Sequence, residues 1–270
     1  MVIEMLMDFH IHSNVSSDCK MSIREAYESA VEKGIKNICI TNHHEPSEVV
    51  KGDFQQSLTD ENLATYRATV DELKKDGRVN IFFGIEMCYT EDEEEYIKEF
   101  LTKHSFDFVL GSLHYVDGIP VSHTEAREEA KDLDHGELYR EYLRLLKKAI
   151  QTGLFDVIGH IDIYKKAISE PDFESVRAEW EEVASLLVEN DTGFEINTSW
   201  SRTVPDGMYP DIKILKVLLE KGVKKITLGS DAHHPEHLGR NFESVIKVLK
   251  DLGVKQVHIF NKREPKPLLL

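Results

Sequence analysis

Eight short runs rich in apolar and β-branched residues recur along the chain, near positions 5–10, 36–41, 80–86, 107–112, 155–159, 193–197, 225–229 and 256–260. Between them lie longer stretches whose apolar residues return every three or four positions, the spacing that gathers them on one helix face. These stretches predict helices over 22–33, 60–76, 91–103, 135–152, 173–190, 210–221 and 241–252. Ser22 followed by Glu25 reads as an N-cap with its capping-box partner. Gly34, Gly77, Gly153, Gly222 and Gly253 each stand where a helix should stop, in left-handed geometry. Strict alternation of strand and helix implies parallel strands with right-handed crossovers. Seven or eight such units close as a (β/α) barrel. No repeat, low-complexity segment or linker divides the chain, so residues 1–270 are expected to form a single domain.

The polar positions carry a second pattern. The run at 5–10 leads into His10 and His12, that at 36–41 into His43, and that at 80–86 ends on Glu86. The next runs meet His114 and His160, and the run at 225–229 meets Asp231 and His233. In a parallel barrel all of these strand ends lie on the face where barrel enzymes do their chemistry. His10 and His12 are two apart on a strand, so both point to one side. Imidazoles converging in this way suit a divalent metal. Three longer connections, 43–59, 115–134 and 198–209, also follow strands, and a lid or pocket wall is expected from them.

Composition narrows the partners. Hydrophobic residues make up 41% of the chain, enough to bury a full core. Acidic residues outnumber basic ones by 49 to 33, for a formal net charge of −16. Such a surface has no general attraction for nucleic acid or an anionic membrane. A phosphorylated substrate would need a local cationic site. Cys19, Cys39 and Cys88 are few, odd in number and widely spaced, which favours a reducing, cytoplasmic compartment over a disulfide framework. The opening residues have neither a basic segment nor a long apolar run, so no signal peptide or membrane span is expected.

Taken together, Asp8-Phe-His10-Ile-His12-Ser13, Thr41-Asn42-His43, Gly84-Ile-Glu86, Gly111-Ser-Leu-His114, Gly159-His160-Ile-Asp162 and Gly229-Ser-Asp231-Ala-His233 resemble the polymerase-and-histidinol-phosphatase (PHP) superfamily. The resemblance implies a distorted seven-stranded (β/α) barrel, TIM-like in outline, and a trinuclear metal centre. It places His10, His12, Glu86 and Asp231 on one metal, with Glu86 bridging to a second held by His114 and His160. Asp18, His43 and His233 would hold the third. Many relatives carry histidine at the Asp18 position, and aspartate there looks like the histidinol-phosphatase branch. Zinc, iron and manganese all suit such ligands.

Three divalent ions would bring about +6 to the pocket, and Asp18, Glu86 and Asp231 would return about −3. A phosphate dianion would be drawn in despite the acidic surface. The expected reaction is hydrolysis of a phosphomonoester by in-line attack of metal-bound hydroxide. Asp231 or a ligand-site histidine such as His233 would assist proton transfer, a choice the sequence leaves open. Arg202, Lys165 and Lys20 are the candidate cations for binding the phosphate. Asp162 would buttress His160 or cap the turn after it, and Cys88 reads as a packed, inert thiol. His44 and His234 read as outer-layer or surface residues. His104, His123, His135, His237 and His258 read as surface or packing residues, although His123 lies in the long fourth loop. Glu45, Asp117 and Glu125 are candidates for holding a positively charged substrate end. Within the superfamily the first reading is L-histidinol phosphate as substrate, in histidine biosynthesis. The alternatives are another small ester, such as a nucleoside bisphosphate or an oligonucleotide end, and a polymerase-associated or metal-storing module without turnover.

Overall fold

The computed structural model describes residues 6–45 and 58–270. Most of the loop expected to shape the mouth after His43 (46–57), and the start of the first apolar run, lie outside the described residues. In chain order the elements are β1 (Asp8–Ile11), α1 (Ile23–Lys33), β2 (Asn37–Ile40), β3 (His43–His44), α2 (Asp60–Leu73), β4 (Asn80–Cys88), α3 (Glu94–Lys103) and β5 (Phe108–Ser112). They continue with α4 (Ala126–Ala130), α5 (His135–Gln151), β6 (Val157–Ile158), α6 (Phe173–Glu189), β7 (Gly193–Asn197), α7 (Ile212–Glu220), β8 (Ile226–Gly229), α8 (Phe242–Asp251), β9 (Gln256–Asn261) and β10 (Glu264–Leu269).

The strands β1, β2, β4, β5, β6, β7 and β8 pair side by side in that order, all parallel, and β3 adds to β4. A parallel bridge between Ile11 and Ala232 brings the last strand back to the first and nearly closes the barrel. The expected helices all form. α1 begins with the Ser22–Glu25 capping box and ends at Gly34, whose φ of +71° only glycine adopts without strain. On α2, Tyr66 donates its hydroxyl to the Ile40 and Gly84 carbonyls, pinning the helix over β2 and β4.

The eighth apolar run does not join the barrel. β9 pairs antiparallel with β10, and the hairpin lies at the N-terminal end of the barrel strands. There Phe260 packs on Phe108, which meets Phe9 and through it Phe82. Arg263 fastens the hairpin by bonding Asp156 Oδ1 at 2.9 Å and the Asp107 carbonyl through its backbone. Pro265 and Pro267 hid β10 from the hydrophobic pattern. Being two apart, they lack N–H groups on one edge only, and β9 pairs with the other. The candidate ligand histidines gather at the opposite, C-terminal mouth. Within the fourth loop, α4 is a short helix that the pattern did not predict.

Candidate metal centre

Short polar contacts hold the mouth in shape. Asn42 Oδ1 accepts from the Ser13 backbone at 2.8 Å and the Ser13 hydroxyl at 2.9 Å, tying the loop after β1 to the segment before His43. Ser16 Oγ accepts from the His43 backbone N–H at 3.0 Å, which seats the loop carrying Asp18. Asp8, buried behind His10, accepts from the Ser230 backbone and hydroxyl and from the Gly239 backbone, fastening β1 to the segment after β8. Asp231 stands at φ +53°, and its carbonyl accepts from Arg202 Nη1 at 2.9 Å.

Glu86 is the hub. Its Oε1 lies 2.9 Å from His160 Nε2 and 3.2 Å from His114 Nε2. Its Oε2 lies 2.7 Å from His43 Nδ1, 3.3 Å from His10 Nε2 and 3.5 Å from His12 Nε2. Asp231 Oδ1 adds contacts of 3.3 Å to His12 Nε2 and 3.7 Å to His10 Nε2. At the outer rim, Asp18 Oδ2 sits 3.0 Å from His233 Nε2 and 3.4 Å from His43 Nε2. All nine expected ligands thus meet in one cluster. The division into three pockets is less sharp than the resemblance implies. The His43 ring faces Glu86 with one nitrogen and Asp18 with the other, and His12 stacks between His43 and His233 at 4.1 and 4.2 Å.

The donor set fits divalent cations. His10 Nε2 and His12 Nε2 face each other at 3.0 Å, where at most one proton can be shared. Glu86 Oε2 is buried without an aligned hydrogen-bond donor, despite the nearness of His43. Lone pairs of nitrogen and carboxylate oxygen converging in a buried mouth match zinc, iron or manganese chemistry. The charges of the metal-free cluster balance internally. Burial alone would raise the Glu86 carboxyl, but His10, His43 and His114 pull it well below the usual range. Asp231 behaves likewise, against His10, His12 and Arg202. Burial, with His43 and His233 alongside, pushes His12 down to about 3 and leaves it neutral at pH 7. His43 would also be lowered by burial, but Glu86 and Asp18 carry it up to about 10.

A second layer of carboxylates lies behind the imidazoles, and sequence reasoning missed it. Glu195 on β7 accepts from His10 Nδ1 at 2.8 Å, and Glu45 lies 2.9 Å from His114 Nδ1. The sequence pattern assigns no ligand to the run at 193–197, and it offers Glu45 as a contact for a positively charged substrate end rather than for His114. An acid in the middle of the apolar run Gly-Phe-Glu-Ile-Asn was the available signal. Cys88 is buried beside His114 and Glu45; burial pushes its thiol up, opposed by His114.

The candidate cations separate. Arg202 reaches the mouth, with Nη2 3.6 Å from Asp231 Oδ2. Lys165 is engaged elsewhere: its Nζ lies 2.9 Å from Asp162 Oδ2 and 3.0 Å from the Met208 carbonyl, above the Tyr209 ring. Asp162, which also accepts from the Asp211 backbone, therefore neither buttresses His160 nor caps the following turn. The neighbouring Lys166 holds its Nζ 5.9 Å from the centre of the Tyr209 ring; burial lowers its ammonium, opposed by the charges of Asp231 and Glu86. Lys20, Asp117, Glu125 and His234 are exposed. His44 is packed on Phe100 and contacts the Tyr96 hydroxyl.

Comparison with known proteins agrees with this architecture. A histidinol-phosphatase of Lactococcus lactis subsp. lactis is 26% identical over 94% of either chain. A protein of Deinococcus radiodurans named "Probable histidinol-phosphatase" is 28% identical, covering 97% of this chain and 99% of that one. The crystal structure of histidinol phosphate phosphatase from Lactococcus lactis subsp. lactis, complexed with Zn, L-histidinol and phosphate, superposes with a TM-score of 0.85 at 23% identity. That superposition covers 97% of this chain and 99% of that one, and it establishes the shared fold. The PHP domain profile matches residues 8–199, from the paired histidines of β1 to the loop after β7, and the chain belongs to the PHP domain family.

Proposed function

We propose that this chain is a metal-dependent phosphomonoesterase that hydrolyses L-histidinol phosphate to L-histidinol and phosphate. The observation that carries the reading is the convergence of five imidazoles on the single buried carboxylate of Glu86. Relatives that span nearly the whole chain and bear the name histidinol-phosphatase support the substrate. So does the Lactococcus structure, which contains Zn, L-histidinol and phosphate. Residues 1–270 are read as one PHP domain, working in the cytoplasm; three free, buried cysteines support a reducing compartment. Among the described residues no helix is long and apolar enough to cross a membrane.

His10, His12, Glu86 and Asp231 would hold one cation, Glu86, His114 and His160 a second, and Asp18, His43 and His233 a third. Divalent zinc, iron or manganese there supplies Lewis-acid charge for the phosphoryl oxygens and activates water at neutral pH. The remaining work falls to the chain. Asp231, at the mouth between His12 and Arg202, is the candidate by position to accept a proton from the attacking water. His233, at the more exposed rim beside Asp18, is the candidate to return a proton to the departing alkoxide. Arg202 and Lys166 bring fixed positive charge to the phosphoryl group, whose transition state spreads negative charge over its equatorial oxygens.

The direct test is turnover of L-histidinol phosphate against a panel including a nucleoside bisphosphate and a 5′-phosphorylated oligonucleotide. A kcat/KM for histidinol phosphate at least ~10-fold above the other substrates is expected, a difference of about 1.4 kcal/mol in transition-state binding. A flat profile, or preference for the nucleotide, would overturn the substrate assignment. The two lysines should part in their effects. Lys166→Ala is expected to raise KM by roughly 10-fold with little change in Tm, the scale for losing one charge-assisted contact. Lys165→Ala should leave KM near wild type but cost on the order of 3 kcal/mol of stability, because buried Asp162 loses its cation. Urea unfolding read beside steady-state kinetics separates the two outcomes.

A further inference from the structure

The carboxylate beneath the first pocket gathers more donors than a packing residue needs. Glu195 lies mid-strand in β7 and is 1% exposed. Its Oε1 accepts from His10 Nδ1 at 2.8 Å. Its Oε2 accepts from the His160 backbone N–H at 2.9 Å and from Asn197 Nδ2 at 3.0 Å. Thus one side chain on β7 grips a candidate ligand from β1 and the backbone of another just after β6. The neighbouring strand leaves room for it. At Gly229 on β8, a Cβ would stand 1.9 Å from Glu195 Oε1 and 2.5 Å from the His10 Cβ. Any side chain there would displace either the carboxylate or the histidine.

We propose that Glu195 is a positioning residue that holds His10 in the Nδ1–H form, aims its Nε2 lone pair at the cluster, and sets the first and second metal pockets as one unit. A carboxylate has only acceptors, so the Nδ1 position of His10 must carry the proton. The lone pair then falls on Nε2, the atom that faces Glu86, Asp231 and His12. Histidine ligands are commonly oriented by such outer carboxylates. Here the same carboxylate also holds the backbone N–H of His160, so disturbing it moves two pockets together. The proposal rests on the metal reading above.

The test uses zinc-loaded protein and two readouts besides activity. In the first, wild type and Glu195→Gln are equilibrated with graded chelator and their zinc content per chain is measured. The amide offers one acceptor oxygen where three donors converge, so the variant should release zinc at roughly 10- to 100-fold lower chelator concentration. Equal retention in the two proteins would overturn the proposal. Wild type that takes up no zinc would instead overturn the metal reading itself, and the positioning role with it. In the second, long-range ¹H–¹⁵N spectra of histidine-labelled wild type report the tautomer of His10, assigned through loss of its signals in His10→Gln. Protonated Nδ1 with unprotonated Nε2 is expected; the reverse tautomer would overturn the proposal. This arm needs no Glu195 variant and decides the matter even if Glu195→Gln fails to fold.

Discussion

Glu86→Gln is expected to lower kcat/KM for L-histidinol phosphate by at least ~10³-fold, the upper range for losing one electrostatic group from an enclosed catalytic site. The substitution keeps size and shape, so packing against Ser112, whose hydroxyl bonds Glu86 Oε1 at 2.7 Å, should survive. What disappears is the negative charge shared by His10, His12, His43, His114 and His160. The two proposed metal pockets would lose the carboxylate they share, and metal per chain measured by elemental analysis should fall in step with activity. The metal-free variant should also change stability with a definite pH signature. In metal-free wild type, Glu86 and Asp18 raise His43 from its ordinary 6.5 to about 10. A raised histidine contributes stability that is complete below about 6.5 and vanishes as pH climbs through about 10. Removing the Glu86 charge should therefore cost the metal-free protein most at pH 6.5 and below, and progressively less toward pH 10. Urea titrations of metal-free wild type and Glu86→Gln across that window provide the measurement. An undiminished kcat/KM in Glu86→Gln would show that the hub has no part in turnover.

Stripping the metals should have the second large effect. Prolonged chelation is expected to remove more than ~99% of phosphatase activity, since the uncatalysed hydrolysis of phosphate monoesters is among the slowest reactions known. Return of zinc, manganese or iron should restore it. Re-uptake should tighten as pH rises. In metal-free protein the carboxylates hold His10, His43 and His114 above the ordinary histidine value, so an entering cation must displace protons. His12, pushed down to about 3, is already free to coordinate and adds nothing to this dependence near neutrality. Calorimetric titrations in buffers of different ionisation enthalpy count the protons released per metal. Full turnover by thoroughly stripped protein would dismiss the metal-dependent mechanism.

Much of this architecture is written locally. Apolar runs place the barrel strands within a few residues because each needs only a period of two and a turn signal at its end. Ser22 and Gly34 bound α1 by contacts that span four or five residues. Even the ligand cluster is legible, because parallel strands must deliver every C-terminal end to the same mouth. Histidines and acids at those ends are brought together by topology alone.

Other features depend on long-range placement. Glu195 bonds a histidine 185 positions away, and nothing in its own run distinguishes that from an isolated buried acid. Lys165 is engaged by Asp162 and by the Met208 carbonyl 43 positions away, whereas Lys166 feels the charges of Asp231 and Glu86. The last apolar run has strand character, yet only its pairing with a proline-bearing partner takes it out of the barrel and across the floor. Periodicity and strand-end chemistry, read from neighbouring residues, therefore determined the barrel and the residues at its mouth. The orientation of each side chain within that mouth was decided only by tertiary structure, because hydrogen-bond partners and the space left by glycines such as Gly229 come from distant segments.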